Sequence, residues 1–271
     1  MRASAPAAGP GQLQDVRGVK SADRTLDLLE ELARATSPLT LGDLSRALAI
    51  PKSSLHGLLR TLERREWVES DDSGLRFRLG VRALQLASSH LAQDRDLRIV
   101  HAAMRDLWER TGETVQLGRL AGGDVVYLAQ LPARHPVRLA STVGERLPAH
   151  ATALGKALLA ARDETELRAI LHPPLAALTE RTLTEWGPLQ EALSAAREQG
   201  VAWDREEVSA GLTCVAVAVP AAGLPTHAVS VSVPTFRLSE ELRAEIPGLL
   251  RDMAGSLRAR LGAAPAFLGP A

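Results

Sequence analysis

The densest run of side chains able to do recognition chemistry lies between Pro51 and Arg65. Leu55, Leu58, Leu59 and Leu62 recur at i, i+3, i+4 and i+7, the spacing of one apolar stripe on a helix. The opposite side then carries Ser53, Gly57, Arg60 and Arg64, with His56 on its shoulder. Pro51 suits the first turn, where its missing N–H costs nothing. Lys52 can neutralise a phosphate or reach a guanine edge, and Ser53 and Ser54 are short enough to let the helix come close. Arg60 and Arg64 suit backbone phosphates, which arginine grips bidentately. From Leu44 to Arg65 five basic residues face one acid, Glu63. Shortly after, Leu75-Arg76-Phe77-Arg78-Leu79 alternates as a strand, which puts Arg76 and Arg78 on one face for phosphate or minor-groove contacts. A plain bundle with scattered arginines is the competing reading. It leaves both the strand pair and the small, Gly-bearing outer side of the helix without a purpose.

Catalytic chemistry finds no comparable support. Ser53 and His56 stand three apart but lack an acid to orient the histidine. Cys214 is the single cysteine, which excludes an intrachain disulfide and a cysteine-based zinc site and suits a reducing cytosol. The seven histidines are scattered without metal-site spacing, and no phosphate-cradling glycine loop occurs. No catalytic residue, metal or cofactor is assigned. With 32 basic and 32 acidic side chains the net charge is zero, so nucleic-acid contact must come from local charge. No apolar run approaches the ~18–20 residues that span a bilayer, and Met1–Gly11 has no signal-peptide core. The reading is a cytoplasmic chain with a disordered tail over 1–16.

The elements that must position these groups follow from periodicity and caps. Ser21–Ala35 reads as a first helix with Ser21 as cap and Leu26, Leu29 and Leu32 on its apolar side. Thr40 with Asp43 forms a capping-box pattern before Leu41, Leu44 and Leu48. The Pro51–Arg65 helix is third. Trp67–Glu69, an Asp71–Gly74 turn and Leu75–Leu79 make a wing. A domain over 17–80 results, followed by a linker helix over 81–95 with Leu84, Leu86 and Leu91 as its apolar positions.

The remainder, 96–262, mixes helices and strands without strict alternation, so an α+β sheet domain is expected, with a flexible tail over 263–271. Its helices are read near Leu97–Thr111, Ala151–Ala161, Glu164–Leu171 (capped by Asp163 with Glu166), Leu189–Gln199 and Ser239–Leu261. Thr114–Leu120 and Asp124–Gln130 read as a hairpin about Ala121-Gly122-Gly123, Val137–Ala140 as a weaker strand, and Thr213–Val219 and Ala228–Val233 as two more. Ser230 and Ser232 alternate with valines, so both hydroxyls share a face; they either line a site or are merely solvated. The stretch after His150 reads as a helix N-terminus kept open by Gly155, a place that favours a carboxylate.

Three segments of the first domain, Ser21–Leu26, Leu41–Ala47 and Pro51–Leu62, resemble the winged-helix domain of the IclR family of regulators. Thr111–Val115, Leu147–Ala160 and Gly211–Ala216 are similar to that family's effector-binding domain, and all six lie in register. The resemblance implies an N-terminal winged helix-turn-helix joined by a linker helix to a larger GAF-like α/β effector-binding domain. It implies an effector pocket lined by Leu139, Thr142, Ala153 and Leu154, faced by Asp204, Leu212, Cys214, Ser230 and Ser232. From the residues alone, Cys214 also fits a small buried hydrophobe, and Asp204 a cap or a partner of Arg205. Two departures stand out: Gly57 replaces an arginine common after the recognition-helix histidine, and Glu66 replaces a glycine before the wing aromatic.

The expected function is a transcriptional regulator, not an enzyme. It would bind a double-stranded DNA operator as a homodimer or dimer of dimers, as a repressor or an activator whose operator binding is modulated by a small effector, an organic acid. The alternative is a small-molecule binding protein whose N-terminal unit mediates protein contacts.

Overall fold

The computed structural model describes residues 19–93, 95–135 and 142–262, and the chain forms two compact units that divide after Gln93. Leu139, the expected strand Val137–Ala140 and both expected tails lie outside the described residues. Among the described residues, no helix is long and apolar enough to cross a membrane.

The first unit contains α1 (Lys20–Arg34), β1 (Leu39–Thr40), α2 (Leu41–Ala47), α3 (Lys52–Arg64), β2 (Val68–Ser70), β3 (Arg76–Leu79) and α4 (Val81–Gln93). Its core gathers Leu28 and Leu32 of α1, Leu44 of α2, Leu55, Leu59 and Leu62 of α3, and Val68 and Phe77 of the wing. Thr40 and Asp43 make the reciprocal capping box that starts α2. The wing strands form an antiparallel sheet in the order β1-β3-β2. The turn between β2 and β3 is tied by the Asp71 carboxylate, which accepts from Ser73 Oγ and from the N–H groups of Leu75 and Arg76. Helix α1 differs from expectation. It starts at Lys20 after Val19 with no side-chain cap, and Leu26 is 59% exposed while Leu28 is wholly buried. The stripe is rotated because the run Leu26-Asp27-Leu28-Leu29 supports two helical phases, and packing within the unit selects the later one.

Two backbone positions fix the junction of α3 and the wing. Glu66 adopts φ 61°, a left-handed conformation that is costly with a side chain, on the order of 1 kcal/mol. Its carbonyl receives the Arg82 N–H, and Gly80 packs so closely that a Cβ there would lie 2.3 Å from the Glu66 oxygen.

The second unit contains α5 (Arg95–Thr111), β4 (Thr114–Ala121), β5 (Asp124–Leu131), β6 (Arg146–Pro148), α6 (Ala153–Leu159), α7 (Glu164–Ile170), α8 (Trp186–Gln199), β7 (Ala202–Arg205), β8 (Leu212–Ala218), β9 (His227–Pro234) and α9 (Glu240–Leu261). The six strands form one antiparallel sheet, ordered β6-β5-β4-β9-β8-β7. Alternation divides it. Cys214, Ala216 and Ala228 face α6 and α8, whereas Val215, Val229 and Val231 face the side where α5 and α9 pack. The β4–β5 hairpin turns through Gly122 at φ 63°. Short strands β6 and β7, at the two sheet edges, are additions to the sequence reading.

Adding one methyl group at Gly80 is expected to destabilise the first unit by about 1–3 kcal/mol, because the obstacle is backbone. Gly57→Ala, with no atom within 4 Å of the new Cβ, is expected to be neutral or stabilising by up to ~1 kcal/mol. Thermal unfolding of the two variants decides it; equal effects would remove the close approach as the reason for Gly80.

Candidate functional site

Helix α3 buries Leu55, Leu59 and Leu62 and leaves Lys52, Ser53, Ser54, His56, Gly57, Arg60 and Arg64 exposed. The apolar stripe thus fixes which way the basic side points. Pro51 caps the helix without a side-chain bond, so the first-turn N–H groups remain available for an anion. Among the described residues Lys52, Arg60 and Arg64 have no acidic partner. On the wing, Arg76 and Arg78 are both exposed and flank buried Phe77. They are not equally free. Arg78 forks onto Glu69 Oε2 at 3.2 and 3.1 Å across the hairpin, while Arg76 reaches only the Pro38 carbonyl, at 3.4 Å. Sequence reasoning missed Glu69 as a competitor for Arg78, although the turn length sets the two opposite each other.

In the second unit, the register of β7, β8, β9 and β4 places Asp204, Cys214, Ser232 and Thr114 in one row across the sheet. Ala216, Ser230 and Gln116 form the next row. Both rows face α6, whose seven residues, including Ala153 and Leu154, are all buried. Asp204, Cys214, Ser230 and Ser232 are therefore brought together. Leu212 is partly buried at the start of β8 and packs against the same core. Thr142 is not part of the cluster as placed: it is exposed, and its N–H donates to Glu145.

Three members of this cluster escaped the sequence reading. Gln116 Oε1 accepts from Ser232 Oγ at 2.8 Å and from Ser230 Oγ at 3.4 Å. Lys156, 2% exposed, donates to Glu207 Oε1 at 2.5 Å. Glu207 in turn donates its N–H to Asp204 Oδ1 at 2.7 Å, and its Oε2 is buried without a hydrogen-bond partner. A lysine in the middle of an apolar helix is the signal that could have found the pair, since a buried ammonium demands an acid.

Burial pushes the Asp204 carboxyl up to about 7; the Glu207 N–H and nearby Lys156 oppose the rise. Burial, with Asp204 beside it, also holds the Cys214 thiol well above its ordinary range, so it is no thiolate nucleophile. The Tyr127 hydroxyl is raised for the same first reason, then by Cys214 and Asp204.

The expected open helix N-terminus is corrected. Thr152 Oγ accepts the Gly155 N–H and so caps α6 itself. A Cβ at Gly155 would lie 2.1 Å from the Ala149 oxygen, so this glycine permits close packing rather than an opening for an anion.

A three-helix reader with a wing, followed by an α+β domain with a buried polar cluster beneath one helix, defines a DNA-binding regulator with a sensing domain. Residues 21–72 match the IclR helix-turn-helix domain, and residues 90–259 match the bacterial transcriptional regulator IclR C-terminal domain. The chain belongs to the IclR family of transcriptional regulators. It is 32% identical to the transcriptional repressor IclR of Escherichia coli, over 92% of this chain and 89% of that one. It is 32% identical to the repressor AllR of the same organism, over 93% and 95%. An IclR regulator from Alicyclobacillus acidocaldarius superposes with a TM-score of 0.81 at 26% identity, covering 89% of this chain and 98% of the other. An IclR homologue from Microbacterium hydrocarbonoxydans complexed with 4-hydroxybenzoate gives 0.78 at 26% identity, over 90% and 100%. These relatives are regulators, and the chain is a DNA-binding regulator with an effector-binding domain rather than an enzyme.

The raised carboxyl carries a sign. Between its unfolded value near 3.8 and its native value near 7, the folded protein holds a proton that the unfolded chain releases. Stability therefore falls as pH rises through that window, by up to about 4 kcal/mol if the whole shift is expressed. Asp204→Asn is expected to flatten this dependence. Urea unfolding at pH 5 and pH 7.5 measures it, and parallel losses in both proteins would refute it.

Proposed function

We propose that the acid-free side of α3 enters the major groove of an operator, with Ser53, Ser54 and His56 at base edges. Lys52, Arg60 and Arg64 hold phosphates, and Arg76 adds a wing contact. Arg78 joins only by leaving Glu69. The observation that carries this reading is the division of α3 itself: leucines buried on one side, cations without acidic partners on the other.

The protein acts as a homodimer or dimer of dimers. Leu26 of α1 and Leu84 and Leu86 of α4 are 59%, 67% and 61% exposed, apolar side chains that the reader unit does not bury by itself and that a second copy would cover. A dimer offers two α3 helices to two half-sites.

The effector is an organic acid held beneath α6 by Asp204, Cys214, Ser230 and Ser232, with Ala153, Leu154 and Leu212 completing the lining. A protonated Asp204 can donate a hydrogen bond to a carboxylate where an ionised one would repel it. The 4-hydroxybenzoate complex of the Microbacterium relative supports this ligand class. Repression relieved by the effector follows the relatives named as repressors. The protein works in the cytoplasm, where a bacterial regulator meets its operator.

Arg60→Ala is expected to weaken binding to all DNA sequences alike and to reduce the slope of log K against log[salt] by about 0.9. Gel shifts at several salt concentrations read both, and an unchanged slope would count against a phosphate contact. Ser232→Ala is expected to leave operator binding intact while blunting release by 4-hydroxybenzoate and a panel of related organic acids. Equal loss of both activities would make Ser232 part of the scaffold.

A further inference from the structure

The cations of the reader unit are not equally available to a partner. Lys52, Arg60 and Arg64 of α3 have no acidic partner among the described residues. Arg78 of β3 has one, set by strand register: Glu69 of β2 stands directly opposite. Glu69 Oε2 accepts from Arg78 Nε at 3.2 Å and from Nη2 at 3.1 Å. Oε1 is engaged as well, by the N–H of Val81, the first residue of α4, at 3.3 Å. One carboxylate thus bridges the wing and the start of the linker helix.

An exposed ion pair normally contributes little, since two long side chains must be immobilised to form it. Glu69 is immobilised in advance. It is half-buried, and the start of α4 that holds it is itself tied to the segment before β2. The ties are the Gly80 N–H to the Trp67 carbonyl and the Arg82 N–H to the Glu66 carbonyl. Glu69 occupies the Nε and Nη2 edge of the guanidinium, an edge by which arginine grips a phosphate. The other wing acids do not compete for it. Asp71 is turned into the hairpin by Ser73 Oγ and the Leu75 and Arg76 N–H groups. Asp72 is exposed and, among the described residues, forms no ion pair.

We propose that Glu69 is an intramolecular stand-in for a DNA phosphate, which holds Arg78 off the duplex and so restrains binding to arbitrary sequence. Sequence-independent binding consists of phosphate contacts, so a cation withheld by its own protein lowers that background directly. Because the same carboxylate is fixed by the Val81 N–H, the restraint is as firm as the start of α4. This role for Glu69 rests on the reading of α3 as the DNA reader.

Glu69→Gln in the full chain tests it, because the amide oxygen still accepts the Val81 N–H while the negative charge beside Arg78 is gone. Fluorescence anisotropy with a labelled mixed-sequence DNA duplex, at several salt concentrations, reads the effect. Binding is expected to tighten by about two- to fivefold, and the slope of log K against log[salt] to steepen by about 0.9. In Arg78→Gln protein the same change at Glu69 is expected to add nothing. Asp72→Asn, which removes a wing acid that holds no arginine, is expected to leave the slope unaltered. An unchanged slope in Glu69→Gln, a gain that survives Arg78→Gln, or an equal gain in Asp72→Asn would each overturn the restraint. Arg60→Ala on the same duplex separates two failures. If it lowers the slope while Glu69→Gln does not raise it, the reader stands and the restraint falls; if the unmodified chain shows no salt-dependent binding, both fall.

Discussion

A lysine buried in a helix that has no exposed residue must be answered from within, and Glu207 answers Lys156. Breaking such a pair leaves an uncompensated buried charge, a loss of roughly 3–5 kcal/mol. The pair therefore holds α6 against the turn after β7. The same residue organises that turn: Glu207 Oε1 accepts the Arg205 N–H, and the Glu207 N–H orients Asp204. Asp204, Cys214 and Ser232 then line up by strand register alone. The buried polar cluster is a consequence of one ion pair and one sheet.

The reader unit works by a simpler constraint. Three leucines of α3 are buried against α1, α2 and the wing, and the remaining side of the helix has nothing left to pack against within its unit. Small residues lie there at its start and arginines further along, so shape and charge both suit a duplex. The left-handed Glu66 and the close approach of Gly80 set where the wing begins relative to α3. The strain at Glu66 persists because the Gly80 and Arg82 N–H groups, bonded to the Trp67 and Glu66 carbonyls, hold the junction from the other side.

What could be read from the sequence was whatever local spacing determines. The α3 stripe, the capping boxes of Thr40 and Asp163, and the Gly122 turn depend on residues within a few positions of one another. The serine face of β9 was legible for the same reason, by alternation. The phase of α1 was not, since two registers of its leucines satisfy the helical period and only tertiary packing chooses. Nor were β6 and β7, too short at three and four residues to show a pattern. Lys156 and Glu207 are 51 residues apart, and Gln116 reaches serines more than a hundred positions away, so no local rule pairs them. Gly155 was misjudged because a glycine tells that room is needed without telling what occupies it.

The closed packing of the cluster bears on how a ligand can act. Ser232 and Ser230 already donate to Gln116, and Asp204 already accepts from Glu207. A ligand entering this cluster would have to replace these bonds, not merely add to them, so a molecule lacking the matching polar atoms would leave buried groups unpaired and be rejected. The same bonds define the packed arrangement of the cluster. A ligand shifts the protein only by the difference in its affinity for the closed and opened arrangements, and its apparent affinity is lowered by the scarcity of the opened one. Strong internal pairing would thus make a ligand site here selective and at the same time set how tightly a molecule must bind to open it.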